Sequence, residues 1–260
     1  MPVLEVGDAS IDYEIEGSEG PLVVQLHGLT SSRTRDALLG LDLGRSLRGH
    51  RILRYDARGH GRSSGSESES HYGWRALAGD LLALLDHVAP GEQVHGVGPS
   101  MGTGTLLHAA VRDPERFATL TLVTPPTAWK RRRDQAAIYL RNADQVERHG
   151  SVALVESGST APVPPALADA PLTRPTVAEE LLPTVLRGAA TTDFPSKKSI
   201  RRIETPTLIL AWTGDRTHPV KTANTLAELL PHSRMVLART PYGVMAWPGL
   251  FAEHVTLHEE

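Results

Sequence analysis

The chain has 260 residues, 40% of them hydrophobic and 22% charged, with a formal net charge of −3; this composition suits one α/β domain carrying an insertion and gives no electrostatic reason to expect a nucleic acid or an anionic membrane as partner. The absence of cysteine excludes disulfides, thiolate metal sites and a cysteine nucleophile, and fits a reducing compartment. No apolar run approaches the roughly 20 residues that span a bilayer, and the start Met1-Pro2-Val3-Leu4-Glu5-Val6 lacks the basic and apolar segments of a secretory signal, so a cytoplasmic location is expected.

Residues 3–6 and 10–16 alternate apolar and polar side chains, as in a half-exposed antiparallel hairpin. Pro21-Leu22-Val23-Val24-Gln25-Leu26 is a nearly unbroken apolar run of the kind buried on both faces of a sheet, and it ends in His27-Gly28-Leu29-Thr30. A helix over 34–49 and a strand over 51–55 follow, the strand closing on Asp56-Ala57-Arg58-Gly59-His60-Gly61-Arg62-Ser63. Residues 73–88 place Trp74, Leu77, Leu81, Leu84, Leu85 and Val88 at helical spacing before Pro90-Gly91. A short apolar strand then runs into Gly98-Pro99-Ser100-Met101-Gly102, with a helix to Arg112 and a strand over 118–123 behind it.

From about 126 to 200 the strand signals vanish, leaving helical stretches at 132–148 and 177–188 around the Pro-rich Ala161-Pro162-Val163-Pro164-Pro165. The α/β alternation resumes with a strand over 206–212, a helix over 219–230, a strand over 234–238 and a helix over 247–257. The expected organisation is therefore an α/β core in two parts, 1–125 and 201–260, with a helical cap at 126–200. In such sheets ligands gather at the carboxyl ends of parallel strands, where His27, Asp56 and Ser100 would all stand.

The pattern G-x-S-x-G is weak alone, but between a strand and a helix it places a serine hydroxyl on a sharp turn beside free backbone N–H groups. Together with the His27-Gly28 loop, the Asp56-x-Arg58-Gly59-His60-Gly61-x-Ser63 loop and Asp215 in Thr213-Gly214-Asp215-Arg216-Thr217-His218-Pro219, it resembles the α/β-hydrolase superfamily, particularly its cap-bearing esterases, lactonases and haloperoxidase-like members. The resemblance implies a mostly parallel sheet flanked by helices with a helical cap insertion. It also implies a Ser100 nucleophile, an oxyanion hole from the N–H groups of Leu29 and Met101, an Asp215 acid, and no cofactor.

The family's base is expected where this chain has Tyr242, and a phenol with a pKa near 10 is a donor at neutral pH, not a proton acceptor. Three readings follow. His218, three residues after Asp215 and held extended by Pro219, takes over as base of a carboxylic ester hydrolase. Alternatively the site is non-hydrolytic, a lyase, cyclase or decarboxylase with Tyr242 donating to the reacting oxygen. In the third reading catalysis is lost and the pocket holds a small ligand.

Candidate substrate contacts are His27, Gly28, Trp129 and Tyr242. The run Trp129-Lys130-Arg131-Arg132-Arg133 could attract an acidic group, although charge runs usually face water. His254 and His258 on the last helix are expected at the surface, His108 packed, and Trp212 and Trp247 in the core. No metal-ligand cluster or G-x-G-x-x-G follows the first strand, so neither a metal nor a dinucleotide is expected. The partner is then a small-molecule ester, lactone or related carbonyl compound, and the first reading expects a small to medium apolar ester or lactone cleaved through a Ser100 acyl-enzyme.

Overall fold

The computed structural model describes residues 2–159, 163–171 and 173–259; Ala161 and Pro162 of the Pro-rich segment lie outside the described residues. Eight strands form one sheet in the order β1-β2-β4-β3-β5-β6-β7-β8. Strands β1 (Val3–Val6) and β2 (Ala9–Glu16) form the antiparallel edge, and β2 also pairs antiparallel with β4 (Arg51–Tyr55). From β4 onward, β3 (Leu22–Gln25), β5 (Val94–Pro99), β6 (Phe117–Val123), β7 (Thr207–Trp212) and β8 (Ser233–Ala238) are parallel. Every residue of β3, β5 and β7 is buried. That is the physical reason their sequences read as apolar runs and those of β1 and β2 alternate.

One hydrophobic cluster covers a face of this sheet with α2 (Trp74–Val88) and α3 (Met101–Arg112), built on Leu77, Leu81, Leu84, Leu106 and Leu107. A second, with Trp212, Trp247, Phe251 and Val255, joins β7 to the final helix. Between β6 and β7 the chain forms α4 (Arg132–His149), α5 (Val152–Ser159) and α6 (Leu182–Ala190), whose buried faces share a third cluster with Tyr72. This helical segment is tied to the loops at the strand ends: the Thr176 N–H donates to Thr30 O at 2.9 Å and the Gly61 N–H to Thr176 O at 2.6 Å.

Several elements differ from their sequence expectation. The helix expected over 34–49 is only Arg33–Leu38 (α1), because Gly40 turns left-handed at φ 71° and the chain leaves the helix. The helix expected over 177–188 begins at Leu182, since Val177 instead bridges to His60 in an extended pairing. After β8 a short helix, α9 (Pro241–Met245), carries Tyr242 and precedes the last one, α10 (Trp247–Thr256). His254 is buried, not exposed, because it sits on the face of α10 that meets the sheet; His258 is exposed as expected. The remaining helices are α7 (Lys197–Ile200) and α8 (Val220–Leu229), and among the described residues none is long and apolar enough to cross a membrane.

The fold holds several histidines neutral. Burial pushes His27 down to about 4 and His60 to about 3, and lowers His95 and His254 to about 4 each. In the unfolded chain each would take a proton near pH 6.5, so below that pH the unfolded state binds more protons and stability falls. The urea midpoint of unfolding should therefore drop as the pH is lowered from 6.5 to 4, with each such histidine contributing on the order of 1 kcal/mol per pH unit. His95→Gln should make the slope shallower; an unchanged slope would show that His95 titrates alike in both states.

Candidate active site

The sharp turn at Ser100 is the local feature from which the site is built. Ser100 has φ 50° and ψ −103°, an uncommon backbone state for a residue with a Cβ. The turn is held by the Ser100 N–H donating to Val123 O at 2.9 Å and by the Thr103 hydroxyl donating to Gly98 O at 2.9 Å. Its glycines are there for space: a Cβ on Gly98 would lie 2.9 Å from the Gly102 carbonyl carbon, and one on Gly102 would lie 2.9 Å from Leu26 Cβ. The turn projects the Ser100 hydroxyl from the sheet's carboxyl edge, where the residue stays partly accessible.

The His27-Gly28 loop passes directly alongside, a Cβ on Gly28 falling 3.9 Å from Ser100 Cβ. Asp36 fixes this loop by accepting from the Gly28 N–H at 3.2 Å and from the Ser31 hydroxyl. Burial raises the Asp36 pKa to about 6 against the lowering effect of those donors. Leu29 follows Gly28, and Met101 opens α3, where the first N–H groups of a helix have no intrahelical acceptor. Those are the two positions from which the sequence expects oxyanion donors.

Structure corrects the expected role of His27. Its Nδ1–H donates to Gly28 O at 2.8 Å and its Nε2 accepts from the Ala57 N–H at 2.9 Å, so both ring nitrogens are spent on backbone and the ring is buried. It scaffolds the loop and has no free polar atom for a substrate. The Asp56 loop serves similarly. Asp56 accepts from the Arg33 and Arg62 N–H groups, while Arg58 grips both Asp80 oxygens at 2.9 Å.

Ser100, His218 and Asp215 form one hydrogen-bonded chain. His218 Nε2 lies 2.8 Å from Ser100 Oγ, and His218 Nδ1 lies 2.7 Å from Asp215 Oδ2. A carboxylate can only accept, so the Nδ1–H donates to Asp215 and leaves the Nε2 lone pair to accept the serine proton. Asp215 is over-supplied with donors: Trp212 Nε1–H at 2.8 Å shares Oδ2 with His218, and the Thr217 and His218 N–H groups reach Oδ1 at 2.8 and 3.1 Å. Burial alone would raise the Asp215 pKa, but the hydrogen bond and charge of His218, aided by Trp212, hold it well below the usual carboxylate range. A serine whose proton a fixed imidazole can accept, with that imidazole oriented by a carboxylate, is chemically equipped for nucleophilic attack on a carbonyl.

Tyr242 stands apart, 81% exposed on α9. Trp129 lies at the start of the helical segment, its N–H donating to Asp193 Oδ1 at 2.8 Å and its ring against Phe194. Trp212 was expected only in the core. It does stack on Trp247, with rings 5.7 Å and 15° apart, but its N–H reaches the acid. The signal available in the sequence was a tryptophan at the strand's carboxyl end, three residues before Asp215.

A family profile described as alpha/beta hydrolase fold matches residues 21–146. The "Putative carbamate hydrolase RutD" of Pseudomonas savastanoi pv. phaseolicola is 27% identical over 86% of this chain and 87% of its own. A solved hydrolase from Pseudomonas aeruginosa PA01 superposes with a TM-score of 0.80 at 23% identity, covering 99% of this chain and 97% of that one. The chain has the α/β-hydrolase fold. The mitochondrial palmitoyl-protein thioesterase ABHD10 of Rattus norvegicus is 30% identical over 45% of this chain, and the match spans 39% of that relative.

Trp212→Phe keeps the stack on Trp247 and deletes one donor to Asp215. A hydrogen bond to a charged group is worth about 1.5–3 kcal/mol and this one is already made in the resting fold, so its loss should lower the thermal midpoint by roughly 3–12 °C. The less firmly held Asp215–His218 pair should also slow Ser100 modification by a fluorophosphonate. An unaltered rate would show that the indole only packs.

Proposed function

We propose that the protein is a serine hydrolase that cleaves an ester or lactone of a small to medium apolar substrate through an acyl-enzyme on Ser100. The observation that carries the reading is the unbroken chain from Asp215 Oδ2 through His218 to Ser100 Oγ, with links of 2.7 and 2.8 Å. In this reading His218 Nε2 takes the Ser100 proton as Oγ attacks the carbonyl carbon. The resulting oxyanion accepts from the Leu29 and Met101 N–H groups, donors typically worth about 3 kcal/mol each because they act on charge that develops in the transition state. The imidazolium then protonates the leaving oxygen, and a water activated by the same imidazole releases the acid. The segment 126–200 acts as the cap that shapes the substrate space. Support also comes from the named activities of the relatives, a carbamate hydrolase and a thioesterase, both acyl-group cleavages.

The non-hydrolytic reading depended on the Tyr242 phenol reaching the reacting oxygen, and a side chain 81% exposed offers it little support.

A fluorophosphonate probe should label the protein at Ser100, and neither Ser100→Ala nor His218→Ala should be labelled or turn over a panel of p-nitrophenyl esters. The decisive variant is the double change His218→Ala with Tyr242→His. The exposed position of Tyr242 predicts no recovery, whereas restored turnover would return the base to the position after β8. Wild-type protein that neither labels nor hydrolyses any ester would overturn the hydrolase reading.

A further inference from the structure

Arg35 and Asp36, adjacent on α1, hold the turn 28–31 from opposite sides. Asp36 accepts from the Gly28 N–H and the Ser31 hydroxyl. Arg35 donates from Nη1 to Thr30 O at 2.8 Å. The turn is closed by the Ser31 N–H donating to Gly28 O at 3.1 Å, and Thr30 inside it has φ 59°. A residue with a Cβ stays in that region only where its surroundings hold it there.

Those surroundings come from the chain between β6 and β7. The Thr176 N–H reaches the same Thr30 O at 2.9 Å and the Thr176 hydroxyl reaches it at 3.3 Å. Arg35 joins the two segments, its Nε–H donating to Thr173 Oγ1 at 2.5 Å and an Nη2–H to Thr173 O at 3.4 Å. One planar guanidinium thus spans from the turn to the stretch 173–177. That stretch is fastened further along, where Thr176 O accepts from the Gly61 N–H at 2.6 Å and Val177 bridges to His60. Val177 is buried in the cluster that holds Tyr72, Tyr139 and Leu182, and Leu29 packs against the same cluster. Arg35 is half-buried, and its hydrogen bonds among the described residues all go to neutral oxygens, so its charge serves to fix two chain segments.

Peptide geometry carries this grip to Leu29. The described residues contain no cis peptide bond, so the C=O and N–H of each unit point in opposite directions. In the unit joining Thr30 to Ser31, Arg35 and Thr176 hold the C=O, which directs the Ser31 N–H at Gly28 O. Gly28 O also accepts from His27 Nδ1–H at 2.8 Å. With Gly28 O held twice, the Leu29 N–H of the same unit points away from it, and it makes no hydrogen bond among the described residues. This is the N–H that the hydrolase reading assigns to the oxyanion, and the preceding Gly28 lies beside Ser100.

We infer that Arg35 is a positioning residue for the oxyanion hole: it ties the direction of the Leu29 N–H to the seating of the stretch 173–177, so that the hole is complete only while that stretch is docked. This rests on the hydrolase reading above and adds to it a residue hydrogen-bonded to neither Ser100 nor His218.

The test is the burst of p-nitrophenol released by Arg35→Gln from p-nitrophenyl butyrate. Deleting an oxyanion donor costs roughly 10²–10³-fold, so a misdirected one should lower the acylation rate constant about tenfold or more. The apparent affinity for the ester should stay within about twofold, because the donor acts on charge that develops after binding. Arg35→Lys should recover part of the rate. Thr173→Val, which removes the hydroxyl acceptor on the other side of the tie, should give a smaller loss of the same kind, and the double variant should lose little more than Arg35→Gln alone. Poor folding lowers the burst amplitude and not its rate constant, so it does not mimic the effect. An unchanged acylation rate in Arg35→Gln, or a loss that falls on ester affinity, overturns the inference while leaving the hydrolase standing. If wild-type protein gives no burst with any ester, the hydrolase reading fails and the oxyanion role fails with it. Amide hydrogen exchange then decides the tie itself: faster exchange at both Ser31 and Thr176 in Arg35→Gln supports it, and unaltered exchange at either overturns it.

Discussion

The left-handed turn at Ser100 is the constraint on which the rest of the molecule depends. A residue with a Cβ at φ 50° is held there only if its surroundings over-determine it. Here they do. The strand before it and the helix after it both lie in the core, Gly98 and Gly102 let β5, α3 and Leu26 close to contact distance, and Val123 at the end of β6 receives the serine N–H. Three parallel strands, β3, β5 and β6, must be in register for those partners to meet. The sheet is thus the device that converts an unfavourable local conformation into a fixed hydroxyl.

The same economy governs the acid and the imidazole. In the Asp215–His218 pair both groups come from one loop, and the N–H of His218 donates to the carboxylate that its own ring also meets. Fixing the loop therefore fixes both side chains at once, with less conformational entropy lost than if two separate loops had to be ordered. The loop in turn rests on Trp212 and through it on Trp247, so the orientation of the imidazole is referred back to the packed interior. The position of Tyr242 is released from that duty, and a side chain there can be largely solvent-exposed without affecting the network around Ser100.

The elements legible in the sequence were those whose burial leaves a one-dimensional trace. Strands β3, β5 and β7 are buried along their whole length and read as apolar runs; α2 writes its core face at helical spacing. The turn at Ser100 and the loop that carries Asp215 are legible because tight turns demand particular residues. What could not be read is set by contacts distant in sequence. Nothing local shows that Val177 bridges to His60 in place of opening a helix, or that His254 turns inward. Arg132 is the clearest case: a charge in a run of four basic residues reads as solvated, and only the placement of α6 and Trp74 shows one of the four to be buried.

That buried guanidinium and the neutral buried histidines answer to the same rule from opposite sides. Burial penalises the charged form of each. A histidine escapes by giving up its proton, as His27 does at a pKa of about 4, and the neutral ring then serves as both donor and acceptor for its loop. An arginine cannot discharge at any accessible pH. Its remaining options are carbonyls, aromatic faces and an anion. Arg132 uses two carbonyls, from Thr192 and Ala189, and the faces of two rings, Trp74 and Tyr139, so the charge that burial cannot remove becomes the tie that holds α4 to α6 and α2.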